Sequence, residues 1–316
     1  MARPTAARTW TGVAIVAALA AVVGVLAVLA MQRVSSGASP TVSPGGASPT
    51  APAGTTPPAS PSETPTPTPT APAPVAAEAE RLLAAGTDGI LWRGTAGSCT
   101  LGVAPVLERS ADDGLTWTDV TPAYRGITQI VGLDDFAGVQ AQMIATVLDD
   151  ESADDPCDVR AMRTFSDGAF WSDYEDVLAG ATYLAPGGAI VTPEGEIEAP
   201  CAEPRSVRGA AAEVALVCDG SAMRWDGAAW IDAGVPGAVA VAPGEGGLYV
   251  GHVAPECAGL QISAVAAGGA PEPVECIPGV DAGSPLALDA TASDVWLWTG
   301  DEVLSAALAP EPARVG

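Results

Sequence analysis

The chain has 316 residues, 48% of them hydrophobic, and its 38 acidic residues outnumber its 13 basic residues to give a formal net charge of −25. This excess of negative charge excludes nucleic acid as a partner, because such complexes depend on attraction to the phosphate backbone. The sequence contains no Lys and a single His, which excludes Schiff-base and P-loop chemistry and leaves one side chain that titrates near neutral pH.

An apolar segment without charged side chains, residues 12–31, lies near the start of the chain. A helix of that length crosses the hydrocarbon core of a bilayer at about 1.5 Å per residue. Arg3 and Arg8 precede the segment, so the positive-inside rule predicts a cytoplasmic N-terminus (1–11), a single-pass transmembrane helix (12–31) in the cell membrane and an extracytoplasmic remainder. A cleaved signal peptide is the alternative, and it also exports the rest of the chain.

Residues 32–75 are rich in Pro, Ser and Thr. A segment of this composition cannot bury enough apolar surface to offset the entropy lost on folding, so we predict a disordered linker that favours extended polyproline II conformations. Residues 76–316 combine apolar runs with most of the acidic side chains. We therefore predict that they form an acidic, extracytoplasmic folded domain.

All six Cys residues fall within this predicted domain. Their even number and the predicted export favour disulfide bonds. No CxxC spacing occurs and one His cannot complete a zinc site, so we predict no metal site. Six Cys allow fifteen pairings, among which sequential pairing closes the shortest loops and suits a fold of successive local units. That pairing joins Cys99 to Cys157, Cys201 to Cys218 and Cys257 to Cys276.

The predicted domain opens with an Ala-, Glu- and Leu-rich stretch, Val75 to Ala85, whose composition favours a short helix that ends at Gly86. Beyond it the pattern changes to short runs of β-forming residues separated by Gly, Pro and Asp. These runs are residues 90–92, 142–148, 214–217, 248–250 and 295–298. Short strands at such spacing predict an all-β sandwich, barrel or propeller.

The pattern Asp-Gly-x-x-Trp occurs three times, at intervals of 54 and 59 residues. The Asp-Gly pair favours a tight hairpin turn, and the Trp that follows is expected to return to a strand and bury a large apolar surface. We therefore predict that the three Trp side chains fill equivalent core positions. The copies contain Asp113, Gly114 and Trp117, then Asp167, Gly168 and Trp171, then Asp226, Gly227 and Trp230.

The first copy extends over residues 110–117, Ser-Ala-Asp-Asp-Gly-Leu-Thr-Trp, and matches the pattern Ser-x-Asp-x-Gly-x-Thr-Trp at every defined position. It resembles the Asp-box, or BNR repeat, of sialidase-like and sortilin-like β-propellers. The resemblance implies a hairpin between the two outer strands of a blade, located away from the substrate face. It also implies a structural role for Ser110, Asp112, Gly114, Thr116 and Trp117. The second copy carries Ser166 at a compressed spacing, and the third lacks a Ser.

Together these features predict an all-β domain with the fold of a β-propeller. At about 40–50 residues per blade, residues 76–316 provide five or six blades. A pair of β-sandwiches is the structural alternative.

No stretch of the sequence carries a recognisable catalytic motif or cofactor site. The acidic stretch 149–158 does not have EF-hand spacing, and we interpret it as a solvated loop. We interpret His252 as a partly buried structural residue. Trp92, Trp296 and Trp298 are expected to pack within the fold rather than to stack on sugar rings.

These observations predict a membrane-anchored, extracytoplasmic binding module without catalytic activity or cofactor. The expected partners are the membrane, through residues 12–31, and a cell-wall glycan or another exported protein. The alternative function is that of an exported sialidase-like glycoside hydrolase. By the resemblance, such an enzyme would need three Arg, a Tyr–Glu pair and an acid/base Asp in one central pocket.

Overall fold

The computed structural model describes residues 75–148, 155, 157–210 and 213–308. These residues form 22 β-strands in six sheets, and every pair of neighbouring strands is antiparallel. Each sheet consists of consecutive strands in chain order, so the domain is a six-bladed β-propeller. The predicted propeller and the upper of the two predicted blade numbers are therefore confirmed, and the β-sandwich alternative is wrong.

Three blades occupy the first half of the ring. Blade 1 contains β1 (Arg81–Ala85), β2 (Leu91–Thr95), β3 (Val106–Ser110) and β4 (Thr118–Asp119). Blade 2 contains β5 (Ile127–Phe136), β6 (Gln140–Val147), β7 (Asp158–Thr164) and β8 (Trp171–Asp173). Blade 3 contains the short strands β9 (Tyr183–Leu184), β10 (Ile190–Thr192) and β11 (Gly195–Ile197), and the helix α1 (Glu175–Gly180) precedes it.

The other three blades complete the ring. Blade 4 contains β12 (Arg205–Ala210), β13 (Glu213–Cys218), β14 (Ser221–Trp225) and β15 (Trp230–Pro236). Blade 5 contains β16 (Ala238–Gly244), β17 (Gly247–His252), β18 (Gly259–Val265) and β19 (Glu272–Pro278). Blade 6 contains β20 (Leu286–Ala290), β21 (Asp294–Thr299) and β22 (Glu302–Ala307). The five predicted β-runs overlap β2, β6, β13, β17 and β21.

The first strand of each blade lies nearest the axis, because it contacts the first strands of both neighbouring blades. These contacts follow the order β1, β5, β9, β12, β16, β20 and return to β1. The second strands form the centre of the blades, and Met143, Leu216 and Val250 on these strands are fully buried. Apolar side chains between the blades thus form the core of the ring.

The seam between blades 1 and 6 closes the ring, and within the described residues neither blade contributes a strand to the other. Leu83 of β1 packs with Trp298 of β21 in a buried apolar cluster. The backbone amide of Ala85 donates a hydrogen bond of 2.7 Å to Asp289 Oδ2. The guanidinium of Arg81 lies 4.2 Å from the centre of the Trp298 ring. Side-chain packing and these polar contacts therefore hold the first and last blades together.

The helix predicted for residues 75–85 is not formed. The segment has a 3-10 turn at Ala77–Ala79 and then enters β1. Four consecutive residues of β1, Leu82 to Ala85, are buried. An amphipathic helix would expose part of such a run, whereas the innermost strand of a blade is covered on both faces. Tertiary burial thus overrides the helix propensity of the stretch.

The sequential disulfide pairing is confirmed, and no Cys is free. The bond between Cys99 and Cys157 joins blade 1 to blade 2, with a sequence separation of 58 residues. The other two bonds close shorter loops, of 17 residues at Cys201–Cys218 and 19 residues at Cys257–Cys276. The longest loop is therefore the one that crosses between blades.

The predicted cytoplasmic N-terminus (1–11), the predicted transmembrane helix (12–31) and all but the last residue of the predicted linker (32–75) lie outside the described residues. Most of the acidic stretch 149–158 also lies outside them. Within the part of the chain that the structure describes, no helix has the length and apolar character needed to cross a bilayer.

Removing the disulfides should lower the free energy of unfolding in the order of their loop lengths. Chain entropy predicts a loss of about 4 kcal/mol for the double variant Cys99→Ala/Cys157→Ala and about 3 kcal/mol for Cys201→Ala/Cys218→Ala. Denaturant unfolding of the two variants and the parent, all exported under the same conditions, measures the difference. Peptide mapping without reduction should find no alkylated Cys in the parent, and two alkylated Cys there would contradict the pairing.

Candidate functional site

The hairpin between β3 and β4 contains the first Asp-Gly-x-x-Trp copy, and its polar side chains bond to their own turn. Ser110 Oγ donates to Asp112 Oδ1 over 2.8 Å and accepts the amide of Gly114 over 2.9 Å. Asp112 also accepts the amide and the hydroxyl of Thr116, at 2.9 and 2.6 Å. These bonds, those from Thr116 first, hold the pKa of Asp112 below its ordinary value. Trp117 Nε1 donates to the carbonyl oxygen of Gly114 over 2.9 Å, which fixes the ring over the turn.

The hairpin between β7 and β8 has the same arrangement, but with Thr164 rather than Ser166 as the counterpart of Ser110. Thr164 Oγ1 accepts the amide of Gly168 over 3.0 Å, and Ser166 Oγ takes the role of Asp112 by accepting the amide of Phe170 over 2.9 Å. Trp171 Nε1 donates to the carbonyl oxygen of Gly168 over 3.1 Å. The compressed spacing inferred from the sequence is therefore wrong, and the second copy spans residues 164–171 without compression.

The backbones of these two hairpins also agree at the Asp-Gly pair. Asp113 and Gly114 have φ values of 57° and 82°, and Asp167 and Gly168 have 54° and 86°. A Cβ atom at Gly114 would lie 3.3 Å from Val303 of blade 6, and one at Gly168 would lie 2.7 Å from Val120 of blade 1. Each hairpin thus packs tightly against the preceding blade, in a conformation that favours Gly.

The third copy forms a different hairpin. Asp226 accepts the amides of Ala228 and Ala229, at 2.8 and 2.7 Å, in a short turn between β14 and β15. Trp230 pairs with Trp225 across the strands and donates its ring N–H to the carbonyl oxygen of Glu198. The shared Asp-Gly-x-x-Trp spacing therefore reflects two turn geometries, both between the third and fourth strands of a blade.

The prediction that three Trp fill equivalent core positions is only partly right. Trp171 is 3% exposed and packs edge-on against the fully buried Trp92. Trp117 and Trp230 are partly buried. Trp117 is only partly buried because its ring packs against the guanidinium of Arg93, 4.0 Å from the ring centre, near the surface where blades 1 and 6 meet. Trp92 and Trp298 are buried, as predicted, and Trp296 is partly buried.

A central cavity of about 1090 Å³ lies on the propeller axis, and residues from all six blades line it. In five blades the lining comes from the end of the first strand or the turn after it, as at Asp134, Asp289 and Glu245. Helix α1 and Pro193 line the wall beside blade 3. Asp113 of the first hairpin also lines the cavity. The cavity therefore opens at the end of the propeller that carries this hairpin.

The chain crosses the axis at the opposite end, where the first strands begin. The guanidinium of Arg205 donates to the carbonyl oxygen of Val75. The amide of Ser206 donates to Glu80 Oε1 over 3.0 Å, and the carbonyl oxygen of Glu80 accepts the amide of Ala96 over 2.8 Å. Residues 75–80 thus connect blade 4 with blade 1, which face each other across the ring.

Arg208 lines the cavity on the side nearest this crossing. Its guanidinium donates to the carbonyl oxygens of Arg81 and Val207, at 3.0 and 2.9 Å. Burial lowers the pKa of Arg208, while Glu80 and then Asp289 act in the opposite direction. Because an Arg guanidinium remains protonated in proteins, Arg208 places a fixed positive charge against this wall.

Three carboxylates crowd one wall of the cavity. The surrounding walls withhold water and raise the pKa of Asp134 to about 6, and the charges of Asp289 and Asp135 add to the effect. Gln142 Nε2 donates a hydrogen bond of 3.2 Å to Asp134, and this bond acts to lower the pKa. Burial also raises the pKa of Asp289 and of Asp135. The side chain of Asp134 nevertheless remains exposed to the space of the cavity.

Arg163 occupies the same wall beside these carboxylates. Its guanidinium bonds to Gln142 Oε1 at 3.2 Å and to Asp176 Oδ2 at 3.4 Å. It also lies 4.4 Å from the centre of the Phe136 ring and 5.4 Å from that of Tyr174. The wall thus already binds one guanidinium through an aromatic face, an amide oxygen and a carboxylate.

The sequence alone does not indicate this cavity, because its lining residues come from turns far apart in the chain. One signal was present: the acidic pair Asp134-Asp135 stands between the apolar residues Leu133 and Phe136. His252 is partly buried, as predicted, with Nε2 2.9 Å from Ser263 Oγ, and burial lowers the pKa of His252. Among the described residues, no group of three or more His, Cys, Asp or Glu is arranged to hold a metal ion.

No protein-family model matches the sequence, and no curated protein matches it. The fold is similar to solved structures at low identity. One is a GH74 enzyme of Niastella koreensis, 14% identical with a TM-score of 0.34, where the match covers 71% of this chain and 36% of that one. Another is a family 117 glycoside hydrolase of Zobellia galactanivorans, 11% identical with a TM-score of 0.31, covering 69% and 81%. A third is a mutant sialidase of Trypanosoma rangeli, 12% identical with a TM-score of 0.25, covering 71% and 47%.

The Trp residues of the hairpins should differ in their effect on stability. Trp171→Ala removes a buried ring and should lower the free energy of unfolding by about 3–5 kcal/mol, whereas the partly exposed Trp230 should cost about half as much. Ser110→Ala should cost about 1–2 kcal/mol, because it leaves the amide of Gly114 without its acceptor. Denaturant unfolding of the variants measures these losses, and equal losses at Trp171 and Trp230 would contradict the assignment.

Neutralising Asp134 should stabilise the protein in a pH-dependent manner. Because the pKa of Asp134 is raised to about 6 in the folded state, its ionisation costs stability as the pH rises from about 4 through 6. After allowance for its exposure to cavity water, Asp134→Asn should gain about 1 kcal/mol, or about 2–4 °C in Tm, near pH 7.5.

Thermal unfolding measured across the pH range tests this expectation. The gain should shrink as the pH falls through 6 and 4 and vanish near pH 3, below the ordinary pKa of an Asp, where the parent carboxyl is protonated in both the folded and the unfolded state. The exposed control Glu203→Gln, which lies outside the cavity lining, should show no such dependence. A gain at Asp134 that persists at low pH would have a different cause.

Proposed function

We propose that the protein is a membrane-anchored, extracytoplasmic binding module without catalytic activity, and that the central cavity is its binding site. The observation that carries this proposal is the position of the cavity. It opens at one end of the axis, and residue 75, where the described chain begins, contacts Arg205 at the other. The binding site thus faces away from the point at which the domain joins the preceding chain.

The composition of the cavity favours binding over hydrolysis of the sialidase type. Two Arg, Arg163 and Arg208, line it, and no Tyr is among the described lining residues. Both guanidinium groups are engaged by protein acceptors. The resemblance to sialidase-like propellers would require three Arg and a Tyr–Glu pair around the substrate. The described lining therefore gives the hydrolase alternative no support.

We also propose that the hairpins at residues 110–117 and 164–171 are Asp-box hairpins with a structural role. Their matching hydrogen bonds and their packing against the preceding blade support this assignment. In the family that the first copy resembles, the boxes lie away from the substrate face. Here the first hairpin lies at the same end as the cavity, which separates this cavity from a sialidase-like active site.

The proposed location depends on the sequence of residues 1–75 together with the disulfides of the domain. Three disulfides are typical of an oxidising, extracytoplasmic compartment. Arg3 and Arg8 before the apolar segment 12–31 favour a cytoplasmic N-terminus. In this proposal the transmembrane helix and the Pro-rich linker display the propeller to an exported protein or a cell-wall glycan.

Three measurements test the proposal. A reporter fused after residue 316 should be active only outside the cytoplasm, and the full-length chain should remain in the membrane fraction. The same protein should release no sugar from sialosides or cell-wall glycans. Release into the medium with a new N-terminus near residue 31 would contradict the anchor, and turnover of a glycan that Asp134→Asn abolishes would contradict the non-catalytic role.

A further inference from the structure

We propose that the central cavity binds Lys and Arg side chains of a basic peptide segment that belongs to another exported protein. This inference deepens the proposed binding function and rests on it. Three features of the cavity support it: the charge of its lining, the way in which its wall already binds a guanidinium, and the arrangement of apolar surface beside the carboxylates.

The lining has a strong excess of negative charge. Eight carboxylate side chains line the cavity against two Arg. Arg163 is bonded to Gln142 and Asp176, and Arg208 is bonded to backbone carbonyl oxygens. The two Arg therefore do not balance the eight carboxylates, and the net negative charge of the lining would attract a cationic ligand. The eight acids are Asp88, Asp113, Asp134, Asp135, Asp176, Glu245, Asp289 and Asp294.

Asp134 and Asp135, which are consecutive on β5 and both line the cavity, have few partners. Asp134 accepts one side-chain hydrogen bond, from Gln142, and Asp135 accepts the amide of Gly138 over 3.0 Å. No salt bridge found among the described residues involves either of them. A ligand ammonium or guanidinium placed here would relieve the repulsion between neighbouring carboxylates.

The site of Arg163 shows how this wall binds a cation. Its guanidinium lies over the Phe136 ring while it bonds to an amide oxygen and a carboxylate. This combination of cation–π contact and charge-assisted hydrogen bonds is a common mode of guanidinium recognition. Asp134 and Arg163 both bond to the side-chain amide of Gln142. A ligand cation bound at Asp134 would therefore lie beside the site that Arg163 occupies.

The apolar part of the lining fits the stems of Lys and Arg. Leu83, Leu133 and Trp296 line the cavity together with the carboxylates. Long basic side chains bury their methylene stems on apolar surface and hold their charge at polar groups. Sugar binding would instead favour several aromatic faces, and Trp296 is the single aromatic residue in the described lining. A volume of about 1090 Å³ lies at the upper end of the range for ligand pockets, so it has room for the basic side chains of a peptide segment.

The test measures binding of a fluorescent peptide of alternating Lys and Gly to the full-length chain in nonionic detergent, at about 0.15 M salt. The double variant Asp134→Asn/Asp135→Asn should weaken binding by about tenfold or more, because it removes two carboxylates from the cavity. The matched control Glu203→Gln/Glu272→Gln changes the net charge equally at exposed positions outside the lining and should change binding by less than about twofold.

Equal losses in the two double variants, or no binding by the parent, would overturn the inference. If thermal unfolding shows that the cavity variant is not folded, Glu245→Gln at the cavity lining serves in its place and should weaken binding by about threefold. An oligomer of glucosamine that competes with the peptide at equal concentration would reject the peptide class in favour of an amino sugar. That last outcome would leave the proposed binding function in place, since the reporter and hydrolysis assays test it separately.

Discussion

The contact between the first and last blades determines whether the propeller exists as a ring. Within the described residues neither blade contributes a strand to the other, so the seam depends on side chains. The guanidinium of Arg93 lies 4.0 Å from the centre of the Trp117 ring and 5.0 Å from that of Trp298, and the guanidinium of Arg81 lies 4.2 Å from the centre of the Trp298 ring. Such cation–π contacts have modest individual energies, so the seam depends on several of them together with the buried packing of Leu83 and Trp298.

The seam and the cavity share Asp289. Its carboxylate accepts the amide of Ala85 and so ties β20 to β1, yet it also adds negative charge beside Asp134. Burial raises the pKa of Asp289, so its ionised form is costly, and the positive charge of Arg208 offsets part of that cost. The acidity of the cavity is thus tied to the closure of the ring. A protein that needed closure alone would be expected to use a neutral acceptor at this position.

Much of the fold could be predicted from local sequence, because strands, turns and the two shorter disulfide loops are local features. The hairpin at 110–117 could be predicted from its motif, because each of its polar side chains bonds to a group within four residues. The register of the second hairpin was missed because Thr164 replaces Ser at the first position. The strand β1 was missed because its burial depends on neighbouring blades. The cavity was out of reach for a similar reason: Asp134, Arg208 and Asp289 meet only after the ring has closed.

The crossing of residues 75–80 over the axis also has a mechanical consequence. A force applied to the chain before residue 75 reaches blade 4 through Val75 and the side chain of Glu80, and it reaches the β2–β3 loop of blade 1 through the carbonyl oxygens of Glu78 and Glu80, before it acts on β1. The load is therefore shared between opposite sides of the ring, and it acts across several hydrogen bonds together. Without the crossing, the same pull would act on β1 alone and would peel the innermost strand away from the seam.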